Sequence, residues 1–144
     1  MAIEIYDEQG IRFEYPEGWE VEVESDGTRT TISLQSMEGP AFAMIALDVD
    51  RPAPAEVADS ALAALRQEYP GLEVVPALET IDGRPAIGHD VEFLSLDANN
   101  TCLIRCFRTD RRTVLIFGQW SDMEDGDPGR EIQSLRSSLK ETDS

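Results

Sequence analysis

The sequence is short of the residues that membrane insertion and most catalytic chemistry require. Its 144 residues include one histidine, two cysteines and 12 basic side chains, against 29 acidic ones. The longest apolar run, residues 41–47, is much shorter than the ~20 residues that a helix needs to cross a bilayer. We therefore expect no membrane span. The N-terminal segment lacks the basic and apolar regions of a secretory leader, which predicts a cytoplasmic protein unless a leader has been removed.

Sequence motifs of catalytic and cofactor sites are also missing. The chain has no G-x-S-x-G nucleophile elbow, no P-loop and no dinucleotide fingerprint, so we expect no cofactor. His89 precedes Asp90, but neighbours on a strand point to opposite faces and cannot form a hydrogen-bonded dyad. His89 shares a face with Ile87 and Val91, which predicts a core or half-buried histidine. An enzyme is not the first expectation, although a small hydrolase or ligand-binding enzyme built around His89 stays open.

The two cysteines are predicted to be buried free thiols. Cys102 and Cys106 lie four residues apart on a predicted strand, which separates their α-carbons by about 13 Å. A disulfide needs a separation below about 7 Å, so these two residues cannot form one without destroying the strand. Two thiols without a nearby histidine also make a poor metal site.

Charge of one sign dominates the chain, and this restricts its partners. The formal net charge is −17, which disfavours nucleic acid and anionic membranes because both are polyanions. A partner with a basic surface is compatible with this charge. An acidic surface that serves only solubility is the alternative interpretation.

The segment from Thr101 to Trp120 is predicted to form a hairpin that is apolar on both faces. Alternation places one set of residues on the first face, namely Cys102, Ile104, Cys106, Leu115 and Phe117. The opposite face carries Leu103, Phe107, Val114, Ile116 and Trp120. A strand pair that is apolar on both sides must be covered on both sides, which predicts a central position in the sheet.

A second hairpin is predicted around residues 19–34. The segment WEVEVE alternates apolar and acidic residues, and Asp26-Gly27 is a strong two-residue turn signal. This turn predicts a register with Trp19 opposite Leu34, Val21 opposite Ile32, and Val23 opposite Thr30. Trp19, Val21 and Val23 are expected to face the core.

Two helices are predicted, at about 55–69 and 128–140. Proline opens both of them, and Asp127 is the expected N-cap of the second. Residues 141–144 are expected to be frayed. Because hairpins connect most of the strands, we expect one domain over residues 1–144, a three-layer α/β/α sandwich with a mainly antiparallel central sheet and one helix on each face.

Several short segments carry a family resemblance. They are IRFEYPEGW at residues 11–19, with Phe13, Tyr15, Pro16, Gly18 and Trp19, then GRPA at residues 83–86, the hairpin ending at Trp120, and a final helix ending in SLRSSL. In these the chain resembles the PsbP-like superfamily, which includes the extrinsic subunit of photosystem II, a Ran-binding nuclear import factor and many small bacterial proteins. The resemblance implies an α/β/α sandwich that acts in binding or assembly, with no shared active site. Some bacterial relatives look like chaperones for secreted effectors.

Candidate binding residues concentrate at the end of the Thr101–Trp120 hairpin. Four arginines, Arg105, Arg108, Arg111 and Arg112, lie within eight positions of a very acidic chain, and Trp120 follows them. The arginines could contact an anion or carboxylate of a partner, or they could pair with this protein's own acids. Arg105 lies among apolar residues, so it should sit at a sheet edge or pair with a carboxylate.

The acidic loop at residues 122–127 carries Asp122, Glu124, Asp125 and Asp127, whose carboxylates could hold Ca²⁺. Its spacing does not match the EF-hand loop, and part of it is explained by helix capping, so we expect no metal there. Taken together, the sequence predicts a non-enzymatic protein-binding, assembly or adaptor factor with an unknown protein partner, acting through a sheet edge or a cleft between sheet and helix. A chaperone for a secreted effector is the alternative within this class.

Overall fold

The fold is mixed α/β and is dominated by antiparallel sheets. The computed structural model describes residues 2–95, 97–124 and 126–142. The strands are β1 (Ile3–Glu8), β2 (Ile11–Pro16), β3 (Glu20–Ser25), β4 (Arg29–Gln35), β5 (Phe42–Asp48), β6 (Glu73–Ile81), β7 (Arg84–Ser95), β8 (Ala98–Arg108), β9 (Thr113–Ser121) and β10 (Lys140–Glu141). The helices are α1 (Pro54–Glu68) and α2 (Pro128–Ser138). Neither helix is long and apolar enough to cross a membrane.

The described strands form two sheets. The larger sheet has seven strands in the order β3-β4-β5-β9-β8-β7-β6, and the smaller has the order β1-β2-β10. Every neighbouring pair is antiparallel. The predicted antiparallel character is therefore confirmed, and so is the central position of the β8–β9 hairpin.

The two faces of the seven-stranded sheet bury different residues, as the alternation in β8 and β9 predicts. On one face, here called the α1 face, α1 packs mainly against β7, β8 and β9. Its buried residues are Ala46, Ala58, Leu62, Leu65, Val91, Phe93, Cys102, Ile104, Cys106 and Leu115. This face therefore obtains its cover from one amphipathic helix.

The opposite face, here called the α2 face, is covered by α2 together with the small sheet. Buried side chains of β1 and β2, such as Tyr6 and Phe13, pack there with Ile132 and Leu135 of α2. Tyr6 stacks on Phe13 with their ring centroids 4.9 Å apart. The sequence predicted one helix on each face, but it did not anticipate that β1 and β2 would leave the main sheet and share this face with a helix.

The register predicted for the β3–β4 hairpin is wrong by two residues. The structure pairs Val21 with Leu34 and Val23 with Ile32. The turn is centred one residue later than Asp26-Gly27, since the backbone N–H of Asp26 donates to the carbonyl of Arg29 over 3.1 Å. The Asp26 carboxylate accepts hydrogen bonds from the backbone of residues 28 and 29, which lowers its pKa. A shift of two keeps every side chain on its predicted face.

The face of the hairpin that carries Trp19, Val21 and Val23 does not bury all of its apolar residues. Val21 and Trp19 are half-buried against the core of the α2 face, as expected, but Val23 is 42% exposed. The expectation that Val23 faces the core is therefore wrong, and Val23 lies on β3, an edge strand of the sheet.

The second helix ends before its predicted boundary. Asp127 caps its N-terminus by accepting from the backbone N–H of Arg130 over 3.2 Å, as predicted. The helix then stops at Ser138, and Lys140–Glu141 forms a short strand against β2. The expectation of a frayed end is also wrong for Thr142, whose backbone N–H donates to the carbonyl of Gly10 over 2.8 Å. Residues 143–144 lie outside the described part of the chain.

Both cysteines are free and buried, as predicted. Burial raises the pKa of each thiol to about 12. Cys102 Sγ lies 3.5 Å from the side-chain oxygen of Gln119, and no described residue forms a disulfide with either cysteine. The thiolate, which is the reactive form, is therefore scarce near neutral pH.

This burial makes a direct prediction for thiol chemistry. At about pH 8, where an ordinary thiol is partly ionised, we expect the native protein to react with Ellman's reagent at least about 100-fold more slowly than a free cysteine does. After unfolding in guanidinium both thiols should react. Rapid modification of either cysteine in the native protein, followed by absorbance, would contradict the buried positions of Cys102 and Cys106.

Candidate docking groove beside helix α1

The four arginines of the hairpin do not form one surface. Arg105 is buried, with 4% of its surface exposed. Its Nη1 lies 2.9 Å from a carboxylate oxygen of Asp90, and its Nε lies 3.3 Å from Glu79 Oε1. Arg136 of α2 approaches the same Glu79 oxygen at 3.3 Å. Arg105 is thus paired with carboxylates, one of the two arrangements that its apolar neighbours predict.

Arg112 holds three separate segments together. Its Nε donates to Glu141 Oε1 over 3.0 Å, and its Nη atoms donate to the backbone carbonyls of Gln9 and Gly10 over 2.5 and 2.6 Å. Burial lowers the pKa of this guanidinium, while the Glu141 carboxylate opposes that shift. Arg112 therefore joins the β8–β9 hairpin, the β1–β2 turn and β10.

The other two arginines lie at the surface. Arg108 donates to the backbone carbonyl of Arg51 over 3.2 Å, and the Arg51 side chain donates back to the carbonyl of Thr109 over 2.9 Å. Arg111 is exposed at the turn. The hypothesis of a hairpin-tip contact with a partner therefore narrows to Arg108 and Arg111, because Arg105 and Arg112 are enclosed.

Trp120 supports the start of α2. It is half-buried and packs against the core of the α2 face. A Cβ placed on Gly129 would lie 2.6 Å from the indole nitrogen of Trp120. A glycine is therefore required where α2 crosses this ring, which assigns Trp120 a packing contact inside the fold.

The carboxylates of the acidic loop hold backbone amides. Glu124 accepts from the N–H groups of Ala41 and Ser121 over 2.7 and 2.8 Å, and Asp122 accepts from that of Asn99 over 3.1 Å. Asp125 lies outside the described residues. Among those that are described, no group of three or more potential metal ligands comes together.

His89 lies on the α1 face and contacts α1. Its Nε2 is 3.1 Å from a carboxylate oxygen of Asp59, and its side chain is 16% exposed. Its Nδ1 is buried and has no hydrogen-bond partner among the described residues. The predicted half-buried position is confirmed. Around this imidazole the described residues supply one carboxylate but no hydrogen-bonded hydroxyl or thiol.

A concave feature lies beside α1, where the helix leaves part of the α1 face uncovered. This hollow, here called the α1 groove, has a volume of about 680 Å³. Its floor is apolar and only half-buried, formed by Phe42, Met44 and Phe117, and its wall is formed by α1. Phe42 and Phe117 stack with their ring centroids 5.8 Å apart. The residues of the wall include Val57, Ala61, Ala64 and Tyr69.

A polar surface continues from the α1 groove towards the edge of the sheet. Smaller hollows of about 300 and 460 Å³ lie over β3 and β4, lined by Ser33, Gln35 and Thr31 and by the carboxylates of β3. Those carboxylates, Glu20, Glu22 and Glu24, are exposed and are here called the acidic strip. From α1 outwards, the surface changes from apolar to hydroxyl and amide groups and then to carboxylates.

The two edges of the seven-stranded sheet are poor templates for an added strand. The edge strand β3 is six residues long and carries the acidic strip. The other edge strand, β6, contains Pro76, which lacks a backbone donor. Charged, short and proline-containing edges hinder strand addition. Of the two modes that the sequence left open, the cleft between sheet and helix is favoured over the edge.

A second hollow of about 410 Å³ lies beside the junction of the small sheet and α2. It is lined by residues of β2 such as Tyr15 and by Arg130 and Glu131 of α2. Burial raises the pKa of Glu131, and the nearby carboxylates of Asp127 and Glu38 add to the shift. This hollow combines apolar residues, among them Ile3, Tyr15 and Pro16, with charges of both signs, and its volume is smaller than that of the α1 groove.

Comparison with known proteins shows similarity of fold. No protein-family model matches the chain, and no curated protein matches it significantly. A solved structure from Bacteroides thetaiotaomicron aligns with a TM-score of 0.60 at 10% identity over 94% of this chain and 46% of its own, so the chain spans just under half of that protein. LpqN, described as involved in cell envelope biogenesis of Mycobacterium tuberculosis, aligns with a TM-score of 0.55 at 14% identity over 98% of this chain and 91% of its own. The fold is related to both. Neither description names the PsbP-like superfamily.

The different roles of the arginines predict different effects on stability. Arg112→Gln removes hydrogen bonds to two carbonyls and to Glu141, whose side chain is 8% exposed. We expect the free energy of unfolding to fall by about 2–3 kcal/mol, measured by urea denaturation.

The matched control is Arg108→Gln in the same hairpin. This exposed side chain donates one hydrogen bond, of 3.2 Å, within the described part of the chain, so its loss should change stability by less than about 0.5 kcal/mol. Equal effects of the two substitutions would show that Arg112 does not hold the C-terminal strand.

Proposed function

We propose that this protein is a non-enzymatic binding or assembly factor that receives a partner protein in the α1 groove. The observation that supports this proposal is the apolar floor of the groove. Phe42, Met44 and Phe117 lie next to one another and stay partly exposed on a face that is elsewhere sealed by α1. An apolar groove of this kind is the usual docking site for the apolar face of a partner helix.

We further propose that the three-layer α/β/α sandwich and the PsbP-like superfamily are the best descriptions of the architecture. What supports the first is the separation of the buried residues into two clusters, one around α1 and one around α2. What supports the second is the set of sequence features at residues 11–19 and 83–86. A binding role accords with this assignment, because the resemblance implies assembly factors and no common active site.

A chaperone for a secreted effector would use the same groove. The acidic strip favours this role where the client segment is basic, and a chaperone would hold its client in a form that is not yet folded. An adaptor would bind a folded partner. The two roles are distinguished by the state of the captured protein, which limited proteolysis reports.

A hydrolase built around His89 is supported by one observation, the 3.1 Å contact between His89 and Asp59. An imidazole oriented by a carboxylate is one part of a catalytic triad. However, His89 lines none of the four hollows described above, and its second nitrogen is enclosed. The binding role therefore has the stronger structural support.

The α1 groove can be tested with one substitution and a matched control. Ala61→Gln places a longer side chain in the wall of the groove, whereas Ala63→Gln places the same side chain on the exposed surface of α1. Each change should cost less than about 0.5 kcal/mol of helix stability. We expect affinity purification from the native organism with Ala61→Gln to recover a specific partner roughly tenfold less well than the wild-type protein.

The control should recover that partner at the wild-type level, with both variants compared by quantitative mass spectrometry. If the Ala61 and Ala63 variants recover the same proteins in the same amounts, the groove is not the binding site.

The alternative built around His89 has its own test. We expect His89→Ala to lower the free energy of unfolding by about 1 kcal/mol, because it removes a largely buried side chain of β7 that contacts α1. A broad hydrolase substrate screen should show no difference between this variant and the wild-type protein. Loss of a hydrolytic activity in a variant of unchanged stability would favour the enzyme.

A further inference from the structure

We infer that the partner segment received by the α1 groove is a cationic amphipathic helix, which lies beside α1 with its apolar side on the floor of the groove and basic residues on its flanks. This inference rests on the proposed function and adds the chemistry of the partner. Three observations support it. They are the width of the open space on the α1 face, the change from apolar to acidic side chains across that space, and the hydrogen bonding of the backbone beneath it.

The space fits a second helix. The sheet has seven strands, and α1 packs mainly on β7, β8 and β9. The part of the α1 face over β5, β4 and β3 that α1 does not cover is here called the lane. It is three strands wide, which is roughly 14 Å at the usual strand spacing. A helix with its side chains is about 10–12 Å across. One further helix fills the lane.

The order of polarity across the lane matches the sides of an amphipathic helix. Next to α1 the floor is apolar, at Phe42, Met44 and Phe117. The middle of the lane carries Thr31, Ser33 and Gln35, and its outer edge carries the acidic strip. An apolar stripe on the partner would contact the floor, while the flank of the helix that faces away from α1 would reach the carboxylates of β3.

The charge of the lane selects a basic partner. Among the described residues that line the three hollows, the carboxylates are Glu20, Glu22, Glu24, Asp26, Glu56 and Glu68, and the cation is Arg29. Glu56 and Glu68 belong to α1, so carboxylates border the apolar floor on both sides. Lysine or arginine on the two flanks of a helix would meet opposite charges, and an acidic helix would be repelled.

The backbone beneath the lane favours a helix over an extended segment. Strands β4 and β5 are paired on both of their edges within the sheet. Their N–H and C=O groups are therefore occupied, and the floor offers side chains only. An extended peptide lying on this face would leave its own backbone groups without protein partners, whereas a helix satisfies them internally.

The length of α1 sets the length of the partner. Its 15 residues extend about 22 Å at 1.5 Å per residue. A partner helix lying alongside it would therefore need about four turns.

The inference is tested with three fluorescein-labelled peptides of about 16 residues. The first has leucines spaced for one helical face and lysines elsewhere, the second is a scrambled order of the same residues, and the third replaces lysine by glutamate. We expect the first to bind at least about tenfold more tightly than the other two at about 0.15 M salt, measured by fluorescence anisotropy. Its helical circular dichroism should increase on binding.

Two matched pairs of variants locate the peptide. Glu20→Gln, Glu22→Gln and Glu24→Gln together should weaken binding about tenfold and reduce its salt dependence. The triple change Glu4→Gln, Glu8→Gln and Glu17→Gln removes the same number of exposed carboxylates away from the lane and should leave affinity unchanged. Ala61→Gln should weaken binding, and Ala63→Gln should not.

Several outcomes would overturn the inference. Equal binding of the scrambled peptide would show unspecific attraction to an acidic protein, and equal effects of the two triple changes would place the peptide elsewhere. If Ala61→Gln releases a cellular partner but the cationic helix does not bind, the inference about partner chemistry fails while the proposed function stands. If Ala61→Gln releases no cellular partner and the cationic helix does not bind, both the inference and the proposed function fail.

Discussion

The β8–β9 hairpin is apolar on both faces, and the rest of the structure depends on covering it twice. Alternate residues of these strands point to opposite faces and pack into two separate buried clusters. Each cluster needs its own covering layer, because exposed apolar surface of that extent would be costly in water. One layer is α1, and the other combines α2 with the small sheet. The sheet is nevertheless wider than a single helix, so α1 seals the central strands and leaves an open lane beside them.

The surface beside that lane is acidic because the chain has 29 acidic side chains against 12 basic ones. Arg105 and Arg112 are largely enclosed and form ion pairs with Glu79, Asp90 and Glu141. Burying a guanidinium requires such partners, so these cations are not available to neutralise the outer face of β3. The carboxylates of β3 therefore remain as a strip at the outer edge of the lane.

Much of the fold could be predicted from local patterns, and the errors have identifiable causes. The two helices and the β8–β9 hairpin were predictable because their periodicity and their proline and turn signals agree. The β3–β4 register was not, because Asp26 accepts two backbone hydrogen bonds and moves the turn by one residue. The short strand at Lys140–Glu141 was also missed, since its partners, β2 and Arg112, lie about 130 and 29 residues away along the chain.

The sequence by itself determined that this protein is acidic, antiparallel and built around a doubly apolar hairpin, because composition and side-chain alternation are local properties. It also identified Arg105 as a residue in need of a partner. Only the tertiary structure decided which arginines are enclosed, where β1 and β2 pack, and which part of the α1 face stays open. The groove is formed by residues from β5, β9 and α1 that are distant in sequence, so no local pattern could reveal it. Its existence follows from a mismatch in width between one helix and a seven-stranded sheet.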